Sequence, residues 1–80
     1  MVKPTRVTNS IRALRAQAGD LTQAELADRI GVTRQTVIAI EQGRYSPSLE
    51  VAFQIARELG VPLDAVFHYP DSSVEGEAGR

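Results

Sequence analysis

The segment Leu21-Thr-Gln-Ala-Glu-Leu-Ala-Asp-Arg-Ile-Gly-Val-Thr-Arg-Gln-Thr-Val-Ile-Ala-Ile-Glu-Gln-Gly43 decides the fold of this 80-residue chain. It opens with Thr22-Gln-Ala-Glu25, a capping box in which the Thr22 hydroxyl and the Glu25 carboxylate each satisfy an amide at a helix start. Leu26, Ala27 and Ile30 follow as an apolar stripe at helical spacing, and Gly31 supplies a left-handed stop. Only Gly31 and Val32 precede Thr33, a second N-cap candidate, so another helix begins almost at once, buries Val37 and Ile40, and stops at Gly43. Two helices joined by so short a turn share a buried face only if they cross steeply. Such a crossing needs a small residue where the backbones approach and a glycine where the chain reverses, and Ala27 and Gly31 stand at those places. The spacing describes a helix-turn-helix unit over residues 23–42, whose second helix can enter a DNA major groove. Similar hairpins also occur in helical bundles that have no nucleic-acid role.

Outward from this unit the same punctuation repeats. Asn9 or Ser10 can cap a first helix with an apolar stripe of Ile11, Leu14 and Ala18, ended by Gly19-Asp20. Ser46 or Ser48 can cap a fourth over Leu49 to Leu59, with Pro47 suited to its first turn and Gly60 as its stop. A short fifth helix is expected to begin near Pro62 and to bury Leu63, Val66 and Phe67. No strand alternation and no internal repeat is visible, so the expected fold is all-α with five helices. The expected division is an N-terminal arm over 1–8, a folded domain over 9–69 and a solvated acidic tail over 70–80.

Composition narrows the function classes. At 42% hydrophobic residues the chain can build a modest core, and the absence of cysteine excludes disulfides, zinc-thiolate sites and thiol nucleophiles. The longest apolar run, Val37-Ile38-Ala39-Ile40, is far short of the ~20 residues of a membrane span, and no apolar stretch follows Met1 to Arg6. No membrane association is expected; the expected location is the cytoplasm, on the nucleoid through DNA. His68 is the one histidine, with no nucleophile or carboxylate partner evident, and neither a metal-ligand cluster nor a phosphate-binding glycine loop occurs. The reading is therefore no enzyme, no cofactor and no metal. Net charge is −1, which argues against nucleic acid at first sight. The charge is unevenly placed, however: seven basic residues face four acids through Arg44, and two face six beyond it. That asymmetry suits an anionic partner on one face, although a short chain also reaches it by chance.

The outward face of the third helix carries the functional reading. At about 100° per residue, Val37, Ile40 and Thr33 cluster on one side, and Gln35, Ile38, Ala39 and Gln42 lie opposite, with Arg34 and Thr36 on the flanks. Arginine pairs in bidentate fashion with guanine, glutamine with adenine, and an apolar side chain such as Ile38 meets a thymine methyl. An ordinary solvated helix shows Glu and Lys in i, i+4 pairs instead. Helix starts and short loops contact phosphates, with Gln23, Thr33 and Thr36 adding donors, and with Arg44, Tyr45 and Ser46 following the third helix. Arg44 equally complements the negative end of a helix.

Ile11-Arg-Ala-Leu-Arg15, Leu21-Thr-Gln-Ala-Glu-Leu-Ala27, Ile30-Gly-Val-Thr-Arg-Gln-Thr-Val37 and Ile40-Glu-Gln-Gly-Arg44 together carry a resemblance. It continues through Tyr45-Ser-Pro-Ser-Leu-Glu50 and Ala56-Arg-Glu-Leu-Gly-Val-Pro-Leu-Asp64 to Phe67, covering about Asn9 to Tyr69. The chain resembles the lambda-repressor-like (Cro/CI-type, or xenobiotic-response-element) transcription regulators, in particular short bacterial members consisting of this domain alone. The resemblance implies a compact five-helix domain whose third helix reads double-stranded operator DNA, usually as a dimer on a palindromic site. At the matching positions Gln23 would hold a phosphate and support the recognition helix, and Thr33, Arg34, Gln35 and Thr36 would form its groove-facing start. Arg15 and Glu41 match a partly buried salt bridge that ties the first helix to the third. Three departures stand out. Asp20 lengthens the first loop, Ile38 replaces a small polar residue, and Ala39 lacks a long polar side chain, so readout rests on Arg34 and Gln35. A homodimer is expected through Val61, Leu63 and Phe67, with Pro62 and Tyr69 beside them; the competing role of these residues is to close the monomer core. The expected function is a DNA-binding regulator, a repressor acting by occupancy. The rival is an antitoxin or co-regulator whose domain mainly binds a protein partner, which the acidic C-terminal half permits.

Overall fold

Five helices and one short strand pair make up residues 5–70, the part of the chain that the computed structural model describes. The order is β1 (Thr8–Asn9), α1 (Ile11–Gln17), α2 (Gln23–Ile30), α3 (Arg34–Glu41), α4 (Leu49–Leu59), α5 (Leu63–Val66) and β2 (Phe67–His68). Ile11, Leu26, Val37, Ile40, Ile55 and Val66 are fully buried, one or two from each helix, so a single core joins all five. Ala27 is buried in the same cluster as Val37 and Ile40, as a close α2–α3 approach requires.

Helix starts follow local chemistry. The Glu25 N–H donates to the Thr22 hydroxyl at 3.0 Å while the Thr22 N–H donates to Glu25 Oε1 at 2.9 Å, closing the capping box. Thr33 and Ser48 cap α3 and α4 by accepting from the N–H groups of Thr36 (3.1 Å) and Val51 (3.2 Å). At their far ends α2 and α4 stop at Gly31 (φ 76°) and Gly60 (φ 72°), in the left-handed region that side chains with a Cβ disfavour.

The Thr22 backbone N–H, aided by the Thr22 hydroxyl and by Arg29, holds the Glu25 carboxyl below its ordinary value. A carboxyl whose pKa is lower folded than unfolded stabilises the fold above the unfolded pKa, and the gain disappears as pH falls through the folded one. Glu25→Gln is therefore expected to melt below wild type at neutral pH. The gap should close as pH drops beneath about 4, which thermal melts across that range will check.

The helical architecture stands, with one addition that the sequence hides. β1 and β2 pair antiparallel, Thr8 opposite His68 and Asn9 opposite Phe67. The ladder is extended by the Ser10 N–H donating to the Val66 carbonyl at 2.8 Å. Ser10 occupies the cap position of α1 without capping it: its hydroxyl bonds His68 Nε2 at 3.2 Å, and Asn9 Oδ1 accepts from the Ile11 N–H instead. Ala18 is exposed and not part of the buried stripe, because α1 ends at Gln17. Pro47 precedes the cap Ser48 and so lies outside the first turn of α4. Phe67 leaves α5 for β2 and is half-buried against the core, as are Val61 and Leu63. Asp20 takes up the extra loop residue in a left-handed conformation (φ 58°), which aspartate tolerates better than most. Residues 1–4 of the expected arm and 71–80 of the expected tail lie outside the described residues.

Candidate nucleic-acid interface

The C-terminal end of α3 is anchored from three directions. Arg15 on α1 donates from Nε to Glu41 Oε2 at 2.7 Å and from Nη2 to Oε1 at 3.3 Å, while its Nη1 reaches the Leu21 carbonyl at 2.8 Å. Gln23, the first residue of α2, donates from Nε2 to Glu41 Oε1 at 3.1 Å. The Arg15 and Glu41 side chains are only 15% and 9% exposed. Asn9 completes the anchor by donating from Nδ2 to the carbonyls of Ile40 (2.9 Å), which also accepts from the Gly43 N–H, and Glu41 (3.4 Å). Asn9 thus serves the start of α1 and the end of α3 together.

The other end of α3 faces outward. Thr33, Arg34 and Gln35 are exposed, and Thr36 is half-buried with its hydroxyl 3.0 Å from that of Thr33. Arg34 and Gln35 make no side-chain hydrogen bond among the described residues. Ile38 and Ala39, one turn on, are half-buried. Arg34 and Gln23 border an open groove of about 700 Å³, which Arg12 and Gln42 also line. Arg12 is absent from the residues singled out by sequence. Its signal is nonetheless there: Arg12 lies three residues before Arg15 on one helix, so it shares the face turned toward α3.

Arg44, Tyr45 and Ser46 form a second, separate group. They are exposed in the loop beyond α3 and do not line the groove. Ser46 Oγ lies 2.6 Å from Thr5 Oγ1, so the N-terminal segment is tied to this loop, a link with no local sequence signal. The ion pairs among the described residues are Arg15–Glu41 and Arg29–Glu58. Arg12 and Arg34 at the groove, which Asp20 also lines, and Arg44 in the loop make no ion pair among the described residues. A surface with exposed guanidinium groups, a helix start and uncommitted amides can bind a polyanion and hydrogen-bond base edges.

The family description helix-turn-helix matches residues 11–66. A Methanocaldococcus jannaschii protein named an uncharacterised HTH-type transcriptional regulator is 54% identical over 52 residues, covering 65% of this chain and 79% of that protein. The cryptic phage CTXphi transcriptional repressor RstR of Vibrio cholerae is 35% identical over 68 residues, covering 85% of this chain and 60% of its own length. A crystal structure from Bacteroides fragilis superposes with a TM-score of 0.70 over 78% of this chain and 98% of that one; at 22% identity it speaks for the fold alone. The hypothetical transcription factor NHTF from Neisseria superposes with a TM-score of 0.63 at 33% identity, over 69% of this chain and 61% of its own. With the two closely spaced helices, the burial of Ala27 against the third helix's core residues and this match along most of its folded length, the chain belongs to the helix-turn-helix family of lambda-repressor-like, Cro/CI-type regulators.

Proposed function

We propose that the chain is a sequence-specific DNA-binding transcription regulator that represses by occupying its operator. The observation that carries the reading is the asymmetry of α3. Its last turn is fixed by Asn9, Arg15 and Gln23, while Arg34 and Gln35 in its first turn are exposed and uncommitted. A helix clamped behind and open in front is suited to enter a major groove by its N-terminal residues. Arg34 and Gln35 then read base edges, and Ile38 meets a thymine methyl. Thr33 and Thr36 take phosphate oxygens at the helix start. Gln23 joins them because its amide uses one hydrogen on Glu41 and keeps the second. Arg44, Tyr45 and Ser46 grip the backbone beyond α3. Repression as the sign of regulation draws support from the relative named a repressor.

One such module covers only about 600–1,000 Å² of protein surface on DNA. Two copies on a palindromic operator, with half-sites about 34–36 Å apart, double that contact. The protein acts in the cytoplasm, where the operator is; no described helix is long and apolar enough to cross a membrane.

Selection of bound sites from random DNA, followed by titration of variants, tests the reading. Arg34→Ala or Gln35→Ala should cost about 1–3 kcal/mol on the selected operator and relax preference at one base pair. Arg44→Ala should weaken all sequences alike and lower the salt slope by about one. Unchanged DNA affinity in all three variants would sink the assignment.

A further inference from the structure

The fourth helix has two faces, and only one has a partner within the fold. Ala52, Ile55, Ala56 and Leu59 are buried. Glu50, Phe53, Gln54 and Arg57 fall on the other side, at the i, i+3, i+4, i+7 spacing of a single stripe. Phe53, at the centre of that stripe, is 53% exposed, and Leu49 one turn earlier is 67% exposed. Beside Phe53 an open groove of about 580 Å³ runs between α4 and the turn into α5, with Ala56, Val61, Pro62 and Leu63 on its apolar side and the rest of the stripe, Glu50, Gln54 and Arg57, along its polar edge. A protruding aromatic and a groove with an apolar side and a charged edge on one face meet the condition for a two-fold contact, in which each copy supplies both halves.

The charges fix the direction in which two such helices run. Glu50 and Arg57 stand about two helical turns apart on either side of Phe53, and neither makes an ion pair among the described residues. Laid parallel, two copies would set Glu50 against the partner's Glu50. Laid antiparallel about an axis near Phe53 and Gln54, each Glu50 meets the partner's Arg57, and both pairs form at once.

We infer that a second copy of this chain docks on the outer face of α4, antiparallel, with Phe53 seated against the groove beside the partner's α4. The inference rests on the dimeric reading above and relocates its seam. Val61 and Leu63 become the wall of the socket, and Phe67 is left to the core.

Sedimentation of the full chain, alone and on its selected operator, tests this. Glu50→Arg and Arg57→Glu should each raise the dimer dissociation constant about tenfold or more, because each sets like charges together twice. An equimolar mixture of the two variants should regain the wild-type constant to within about threefold, since the mixed pair recovers both contacts. Phe53→Ala should weaken association without loss of helical circular dichroism. Independently, Gln54→Cys introduces a thiol into a chain that has none. A short thiol cross-linker should join it to its copy, and should leave Ala13→Cys, exposed on α1, unjoined. A wild-type dimer that tolerates both charge reversals, fails to recover in the mixture, or leaves Gln54→Cys unjoined overturns the α4 seam and leaves the dimeric reading standing. A chain that stays monomeric both free and on the operator overturns both.

Discussion

Glu41→Ala is expected to destabilise the domain by about 3 kcal/mol, the lower end of the cost of removing one partner from a buried ion pair, since this one is largely but not fully buried. The carboxylate accepts from two side chains, Arg15 at 2.7 Å and Gln23 at 3.1 Å. Without it the Arg15 guanidinium, whose side chain is only 15% exposed, keeps the Leu21 carbonyl as its sole described partner. A domain of this size has about 4–12 kcal/mol of stability in total, so the variant should lose about 15 °C or more in melting temperature. Replacing both partners at once, Arg15→Met with Glu41→Leu, should cost less than Glu41→Ala alone, because a desolvated pair has little net worth once neither charge is stranded. The Arg29–Glu58 pair supplies the comparison. Its atoms are 3.7 Å apart and its side chains 52% and 33% exposed, so Glu58→Ala should change stability by about 1 kcal/mol or less. Urea unfolding of the four proteins would decide. A loss below about 1 kcal/mol for Glu41→Ala would mean that the pair behaves as a surface bridge and does not anchor α3.

That anchor also marks how far the sequence can be read. Caps and stops are legible because they are local: Thr22 needs Glu25, Thr33 needs Thr36, and Gly31 and Gly60 need only the turn before them. Arg15 and Glu41 are 26 positions apart, and nothing local joins them; the family pattern does. Asn9 is legible as a cap for α1, and this good local role hides its bonds to carbonyls 31 and 32 positions away. The β1–β2 pair leaves no alternation to detect, since each strand has two residues and Thr8 lies 60 positions from His68. Ala18 and Pro47 go astray for a different reason. A helix end displaced by a residue or two moves a side chain from core to solvent, or from the first turn to the residue before the cap. The apolar residues of α4 are hard to read by composition, since Leu49, Val51, Phe53 and Ile55 are all large and apolar; helical spacing sets Phe53 in a stripe with Glu50, Gln54 and Arg57, and its 53% exposure agrees while Ile55 is buried.

Charge illustrates the same limit on a larger scale. A net of −1 disfavours DNA binding only if every charge acts from the same place. In the fold Glu41 is held by Arg15 and Gln23, and Glu25 is spent on the start of α2, so neither opposes a polyanion with its full charge. Arg12, Arg34 and Arg44 make no ion pair among the described residues. Affinity for arbitrary DNA should accordingly be weak, and selectivity should depend on a few directed contacts.

Ile40→Ala and Ile38→Ala, two positions apart on α3, should separate folding from reading. Ile40 is 2% exposed in the centre of the core, so its truncation leaves a cavity and is expected to cost about 2–5 kcal/mol of stability. DNA affinity of the folded fraction, measured well below the melting temperature, should stay near wild type, since Ile40 faces inward. Ile38 is half-buried, and its truncation should cost about 1 kcal/mol of stability or less. Its larger effect should fall on the operator. If Ile38 touches a thymine methyl, replacing that thymine by uracil removes the same contact from the DNA side. Wild type should then lose about 1 kcal/mol on the uracil operator, and Ile38→Ala should bind the two operators equally. A variant that still discriminates thymine from uracil as wild type does would assign the methyl to another residue and leave Ile38 a packing role only.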